Sequence, residues 1–254
     1  MPLLEVANLN RRFGGLHAVN DVSFAVDSGT IKGLIGPNGA GKTTLLNLIS
    51  GTLKFDSGTI MFNSQPIHHL APHKIAAYGI FRTFQNIKLF AKMTVLENVM
   101  IGRHTKSKAG IAAGIFNLPR IHKEEKLIRE RSMAILDMLD ITHLAHVDAQ
   151  SLAFGQQRHV ELARALAGEP TLLLLDEPAA GLNIHETEDL GELIRKIKSL
   201  GITILLVEHD MSLVMTVSDE IVVLSFGEVI AEGKPREIQK NQEVIRVYLG
   251  EDHA

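Results

Sequence analysis

The stretch GPNGAGKTT, Gly36–Thr44, decides the reading of this chain. Gly36, Pro37, Asn38, Gly39, Ala40 and Gly41 lead into Lys42, Thr43 and Thr44, a run with almost no side chain able to build a core. Upstream, TIKGLIG reads as a short apolar strand. Downstream, LLNLISG reads as a helix whose Leu45, Leu46, Leu48 and Ile49 face inward and which Gly51 ends. Strand, glycine loop and helix in that order are the setting in which G-x-x-x-x-G-K-[ST] means phosphate binding. Gly36 and Gly41 admit backbone angles and close approaches that a Cβ would block. The loop N–H groups then converge on one concavity, and the helix N-terminus favours an anion there. Lys42 is expected to reach the β- and γ-phosphates of a nucleoside triphosphate, and the Thr43 hydroxyl to hold Mg²⁺.

The rest of the composition narrows the setting. At 254 residues with 45% apolar residues, the chain can form one large domain, or a core with a subdomain. A formal net charge of −3 gives no basic surface for nucleic acid, so no nucleic-acid partner is expected. The absence of cysteine excludes disulfides, thiolate metal sites and cysteine nucleophiles. MPLLEVANLN has no basic segment ahead of a long apolar run, so no signal peptide is expected. The longest apolar runs, TLLLL and ITILLV, are far shorter than the roughly 20 residues of a membrane-crossing helix.

Residues 1–30 alternate apolar and polar positions between frequent turns, as does GTIMFNSQP at 58–66; both predict antiparallel strands around the phosphate loop. From Thr94 the period becomes helical. Thr94 and Glu97 form a predicted capping box, and Ile128, Ile135, Met138 and Leu139 share one predicted helix face. The small-residue segment at 102–120 reads either as a connector or as a docking surface. After Thr171, the strands TLLLLDE, ITILLVEH and EIVVLS alternate with helical stretches, as a mostly parallel sheet requires. The expected fold is therefore α/β: a P-loop NTPase core with an N-terminal antiparallel β subdomain and an inserted helical subdomain. The core covers 1–89 and 166–254, and the insertion about 90–165, within a single ATP-binding domain.

Four further positions carry chemistry. Asp176 and Glu177 end the strand TLLLLDEP, where an open α/β sheet presents side chains to its ligand. Asp176 is expected to hold Mg²⁺ through water, and Glu177 to act as the base on the water that attacks the γ-phosphate. His209, at the end of the next strand, is expected to contact the γ-phosphate. Gln85 in RTFQN, where the insertion begins, can ligate Mg²⁺ or the water from a hinge. Phe13 in RRFGG offers an apolar face for adenine, against the plainer reading of a core phenylalanine. His68, His69, His73, His143 and His146 read as loop and helix-surface residues, not as metal ligands.

The order of phosphate loop, glutamine, SLAFGQQRHVELARAL, LLLLDEP, AGLN and histidine resembles the ATP-binding subunit of ABC transporters, over nearly the whole chain. The resemblance implies a RecA-like core and two subunits that sandwich two ATP molecules head to tail, as a homo- or heterodimer. In the family pattern L-S-G-G-Q, the signature faces the partner's nucleotide. Here the segment is Leu152, Ala153, Phe154, Gly155 and Gln156, which departs at its second and third positions. Backbone N–H groups near Gly155 can still meet the γ-phosphate, but Ala153 supplies no hydroxyl. Within the family, the L-A-[FY]-G signature, the lengthened IGRH…PRIHKEEK segment and the ending EVIRVYLGEDHA resemble LivG-type ATPases of branched-chain amino-acid importers. That resemblance implies transmembrane permease subunits as partners, with a periplasmic or extracellular substrate-binding protein beyond them. It also implies a peripheral position on the cytoplasmic face of the inner (plasma) membrane. Related ATPases for urea or amide uptake, or for lipopolysaccharide export, share parts of the pattern. ABC ATPases of DNA repair or translation usually carry a long coiled coil or two ATPase units, and GTPases carry N-K-x-D; this chain shows none of these.

Overall fold

The computed structural model describes residues 2–103 and 119–249. Most of the small-residue segment expected as a connector or docking surface therefore lies outside the described residues. Two compact units divide between Arg82 and Thr83 and between Pro170 and Thr171.

The first unit, built from the two outer parts of the chain, holds two sheets. In one, β1 (Pro2–Phe13), β2 (Leu16–Asp27), β4 (Ser57–Phe62) and β5 (Gln65–Pro66) run antiparallel in the order β2-β1-β4-β5. Its irregularities have a local cause. Asn8 and Asp21 both take positive φ, and the Asn8 amide donates to Asp21 across the pair at 2.9 Å. Such positions suit Asn and Asp, whose short polar side chains tolerate the left-handed region.

The other sheet has six strands. It is built on β3 (Ile31–Ile35), whose five residues are all buried. Around it lie β6 (Ile80–Arg82), β7 (Leu172–Asp176), β8 (Thr203–Val207), β9 (Glu220–Ser225) and β10 (Glu228–Gly233), in the order β10-β9-β3-β8-β7-β6. Five strands are parallel, and β10 returns antiparallel on β9. LLLLD and TILLV are buried at every position, because a parallel sheet covered on both faces leaves no polar side for alternation. β8 ends at Val207, so His209 lies two residues beyond the strand rather than at its last position.

Helices α1 (Lys42–Ile49), α2 (Pro72–Ala77), α6 (Ile184–Ser199), α7 (Met211–Val217), α8 (Pro235–Ile238) and α9 (Gln242–Leu249) complete this unit, numbered with those of the second. Leu45, Leu46, Leu48 and Ile49 of α1 enter the core formed by Leu34, Leu174, Leu205 and Leu224. Ser50 caps the helix and Gly51 leaves it at φ +71°, the expected stop.

The second unit holds α3 (Val95–Arg103), α4 (Pro119–Met138) and α5 (Phe154–Ala167). Thr94 and Glu97 make the expected reciprocal cap: the Thr94 N–H donates to Glu97 Oε2 at 2.8 Å, and the Glu97 N–H to Thr94 Oγ1 at 3.2 Å. Ile128 on α4 and Leu139 just past its end are buried as expected, but Ile135 and Met138 are only half-buried. Leu136 and Ser132 occupy the centre of the face instead, because 128, 132, 136 and 139 follow the helical period more closely. The expected limits of about 90 and 165 fall inside this unit. Its edge is set by the Phe84 and Gln85 backbone, which α5 holds through Arg158 and Glu161.

No described helix is long and apolar enough to cross a membrane. Asn98 is fully buried; its Oδ1 accepts the Phe90 N–H at 2.8 Å, and its amide donates to Phe90, Met93 and Thr94 carbonyls. Asn98→Ala is expected to destabilise the protein by roughly 1–3 kcal/mol, since it strands those groups without partners. A lowered urea midpoint checks it; an unchanged one contradicts it.

Candidate nucleotide site

The phosphate loop joins β3 to α1 and is packed from two sides. A Cβ on Gly36, at φ +151°, would stand 2.1 Å from the Leu224 carbonyl oxygen of β9. One on Gly41, at φ +102°, would stand 2.3 Å from the Ala18 carbonyl oxygen of β2. The turn between β9 and β10 closes the third side, with the Gly227 N–H donating to Ala40 O at 3.0 Å and Gly227 O accepting from Asn20 at 2.8 Å. The backbone must therefore curl in a space where only hydrogen fits at 36 and 41. Pro37 and Ala40 are buried in this packing, while Asn38, Gly39 and Thr43 are exposed and Thr44 half-buried. Lys42 is buried, and its ammonium donates to the carbonyls of Gly36 at 2.6 Å and Pro37 at 3.0 Å. This spans the loop with a positive charge at the start of α1.

Two carboxylates leave the end of β7 in different environments. Asp176 is buried, and its Oδ2 accepts from Arg82 at 2.8 Å. The same guanidinium donates to Asn47 Oδ1 at 2.7 Å and Ser50 Oγ at 3.2 Å, so α1, β6 and β7 meet at one cation. Glu177 takes φ +48°, a left-handed turn that redirects the chain one residue after the strand. Its N–H donates to Val207 O at 2.9 Å. Its side chain is 15% exposed, open enough to meet water. From the end of β8, His209 Nδ1 lies 3.8 Å from Glu177 Oε2, so the structure brings Glu177 and His209 together. Glu208 beside it is fully buried, and burial pushes its carboxyl above the usual carboxylate range, opposed by the N–H groups of Ala179, Asp210 and His209.

Phe13 ends β1, 43% exposed as a residue, with the Arg11 guanidinium 4.7 Å from its ring centroid. It is not a core phenylalanine.

In the second unit, Ala153 stands at the N-terminus of α5 and Gln156 reaches back to accept its N–H at 3.1 Å. Phe154 is 46% exposed, with Arg158 5.7 Å from its ring centroid. Gln85 is exposed. Its carbonyl accepts from Arg158 at 3.1 Å, and the Phe84 carbonyl from the same guanidinium at 3.0 Å. Glu161 closes the clamp, pairing with Arg158 at 2.9 Å and accepting the Phe84 N–H at 3.3 Å. Burial pushes the Glu161 carboxyl up, against the pull of Arg158.

A family model described as ABC transporter matches residues 19–180, and one described as branched-chain amino acid ATP-binding cassette transporter matches residues 228–254. The chain is 45% identical over 98% of both chains to a high-affinity branched-chain amino acid transport ATP-binding protein, BraF, of Pseudomonas aeruginosa. This chain belongs to the ABC transporter ATP-binding subunits. To the protein of the same description in Escherichia coli, LivG, it is 44% identical, again over 98% of each chain. The crystal structure of an ABC transporter's ATP-binding cassette in its ADP conformation superposes with a TM-score of 0.86, at 35% identity over 98% of this chain and 99% of that one. These relatives bear out the expected RecA-like core with its β subdomain and helical insertion.

Three residues of this ATP-binding subunit escaped the sequence reading. Arg82, Arg158 and Glu208 carry no motif of their own, and each acquires its role from partners distant in sequence. The one available signal was charge within apolar runs, as in IFRTF and ITILLVEH.

Gly36→Ala is expected to weaken ATP binding at least about a hundredfold, since the new Cβ must push the loop off Leu224; a hundredfold loss corresponds to about 2.8 kcal/mol. At Gly39, with φ +80° and nothing within 4 Å, the same change carries only the left-handed cost of roughly 1–2 kcal/mol. Titration with a fluorescent ATP analogue compares the two; a smaller loss at 36 than at 39 overturns the packing argument.

Proposed function

We propose that this chain is the ATP-hydrolysing engine of an importer that carries branched-chain amino acids through separate permease subunits. The observation that carries this reading is end-to-end similarity, at 45% and 44% identity, to two proteins described as high-affinity branched-chain amino acid transport ATP-binding proteins. The match of residues 228–254 to the branched-chain model supports the same substrate.

In this reading, the segment Gly36–Thr44 wraps the ATP phosphates with its N–H groups, and Lys42 exchanges its carbonyl partners for β- and γ-phosphate oxygens. Phe13 meets the adenine ring. The donor set fits Mg²⁺, a hard cation that takes oxygen ligands: the Thr43 hydroxyl and the Asp176 carboxylate that Arg82 holds in place. When bound, that ion neutralises charge on the transferring phosphate. Glu177 takes the proton of the attacking water, and His209 beside it contacts the γ-phosphate. Ala153, Phe154, Gly155 and Gln156 present the N-terminus of α5 to the nucleotide of a second ATP-binding subunit, head to tail. ATP then favours the closed pair, because only there do both subunits touch it. Closure acts on the permease, which holds the chain at the cytoplasmic face of the membrane and receives its cargo from a substrate-binding protein outside.

Glu177→Gln is expected to bind ATP with near-native affinity, hydrolyse it on the order of a hundredfold more slowly, and accumulate as a dimer. Size exclusion with single-turnover hydrolysis reads both, and near-normal turnover refutes the base. Lys42→Ala in the source cells is expected to abolish leucine uptake while urea uptake holds. Unchanged leucine uptake would leave an ATPase for a different cargo.

A further inference from the structure

Glu208 follows β8 directly, and nothing in its immediate sequence explains a fully buried carboxylate there. Its two oxygens are divided between two chain segments. Oε1 accepts the N–H of Ala179, two residues past Glu177, at 2.7 Å. Oε2 accepts the N–H groups of His209 at 3.0 Å and Asp210 at 3.3 Å. The same Oε2 lies 3.8 Å from His209 Nδ1, which is also 3.8 Å from Glu177 Oε2. One carboxylate thus ties the exit of β7 to the exit of β8, and the His209 ring stands between Glu208 and Glu177.

The neighbouring contacts extend the brace at both ends. The Glu177 N–H donates to the Val207 carbonyl at 2.9 Å, immediately before Glu208. Asp210 caps α7 by accepting the Leu213 N–H at 3.0 Å. N–H bonds to a carboxylate are stronger than neutral ones, and these three fix backbone rather than mobile side chains. Burying a carboxylate is unfavourable unless such bonds offset it, so the site holds Glu208 at a thermodynamic cost that a merely structural core position could avoid with an apolar residue.

We propose that Glu208 is a positioning residue for hydrolysis: its carboxylate sets the spacing between Glu177 and His209 by holding the two strand exits together. It does not touch the nucleotide. The proposal rests on the functional reading above for its catalytic part, whereas the brace itself is open to direct observation.

Glu208→Gln is the discriminating change. Its amide offers an oxygen to one strand exit only, so its NH₂ group faces either the Ala179 N–H or the N–H groups of His209 and Asp210, donor against donor. The experiment compares native full-length chain with E208Q by amide hydrogen exchange, ATP titration and steady-state hydrolysis. Expected is faster exchange at 179 or at 209 and 210, with the amides of β3 and β8 unchanged. The kcat falls about tenfold or more while the KM for ATP stays within about twofold, as loss of alignment without loss of binding requires. Glu208→Asp, which keeps the charge on a shorter stem, is expected to recover part of kcat and guards against a fold that fails in E208Q. Unchanged exchange at 179, 209 and 210 alike overturns the brace. Unchanged kcat, a parallel rise in KM, or a Glu208→Asp variant no better than E208Q overturns the positioning role. If the native chain itself does not hydrolyse ATP, the functional reading fails, and the exchange data still decide the brace.

Discussion

The structure depends first on how little room surrounds the loop between β3 and α1. The Leu224 carbonyl on one side and the Ala18 carbonyl on the other leave space for hydrogen alone at Gly36 and Gly41. That constraint links the two sheets of the first unit. β2 belongs to the antiparallel sheet and β9 to the parallel one, and the loop is shaped by both. The Gly227 N–H bonded to Ala40 adds a third fixed point. A loop so held presents its N–H groups in a set geometry before any ligand arrives, and preorganisation of that kind is what an anion site needs.

The carboxylates at the sheet's edge show how one strand layer can assign different chemistry to similar side chains. Asp176 is buried against Arg82, Glu177 is turned toward a more open position by its own left-handed backbone, and Glu208 is buried among N–H donors. Their differences come from strand order. β7 and β8 are adjacent and parallel, so their C-terminal ends lie side by side and their exits must be held apart or together by whatever follows. Arg82 reaches Asp176 because β6 pairs with β7 on the other side.

The second unit uses the same economy. Arg158 and Glu161 lie one turn apart on α5, both buried, and spend their bonds on the Phe84 and Gln85 backbone. A helix that opens with Ala153 and Phe154 is thereby fixed to the segment that contains Gln85. A buried pair of this kind stabilises little by itself, but breaking it leaves an uncompensated charge, which makes the arrangement hard to lose piecemeal.

The sequence by itself determined the local and periodic features of this protein. Glycine spacing identified the loop, unbroken apolar runs identified the covered parallel strands, and Thr94 with Glu97 identified a helix start. Each depends on residues close together in the chain, so local physics suffices. Along α4 and just past its end, the sequence placed Ile128 and Leu139 correctly yet overvalued Ile135 and Met138, because a single apolar stripe does not say which of its edges faces a neighbour. Only the tertiary structure decided the pairing of Arg82 with Asp176, the clamp of Arg158 on the Gln85 backbone, and the division of Glu208 between two strand exits. These join residues separated by 94, 73 and 29 positions. The partner of a buried charge is set by strand order and register, and a lone charged residue in an apolar run carries no mark of which distant backbone it will meet.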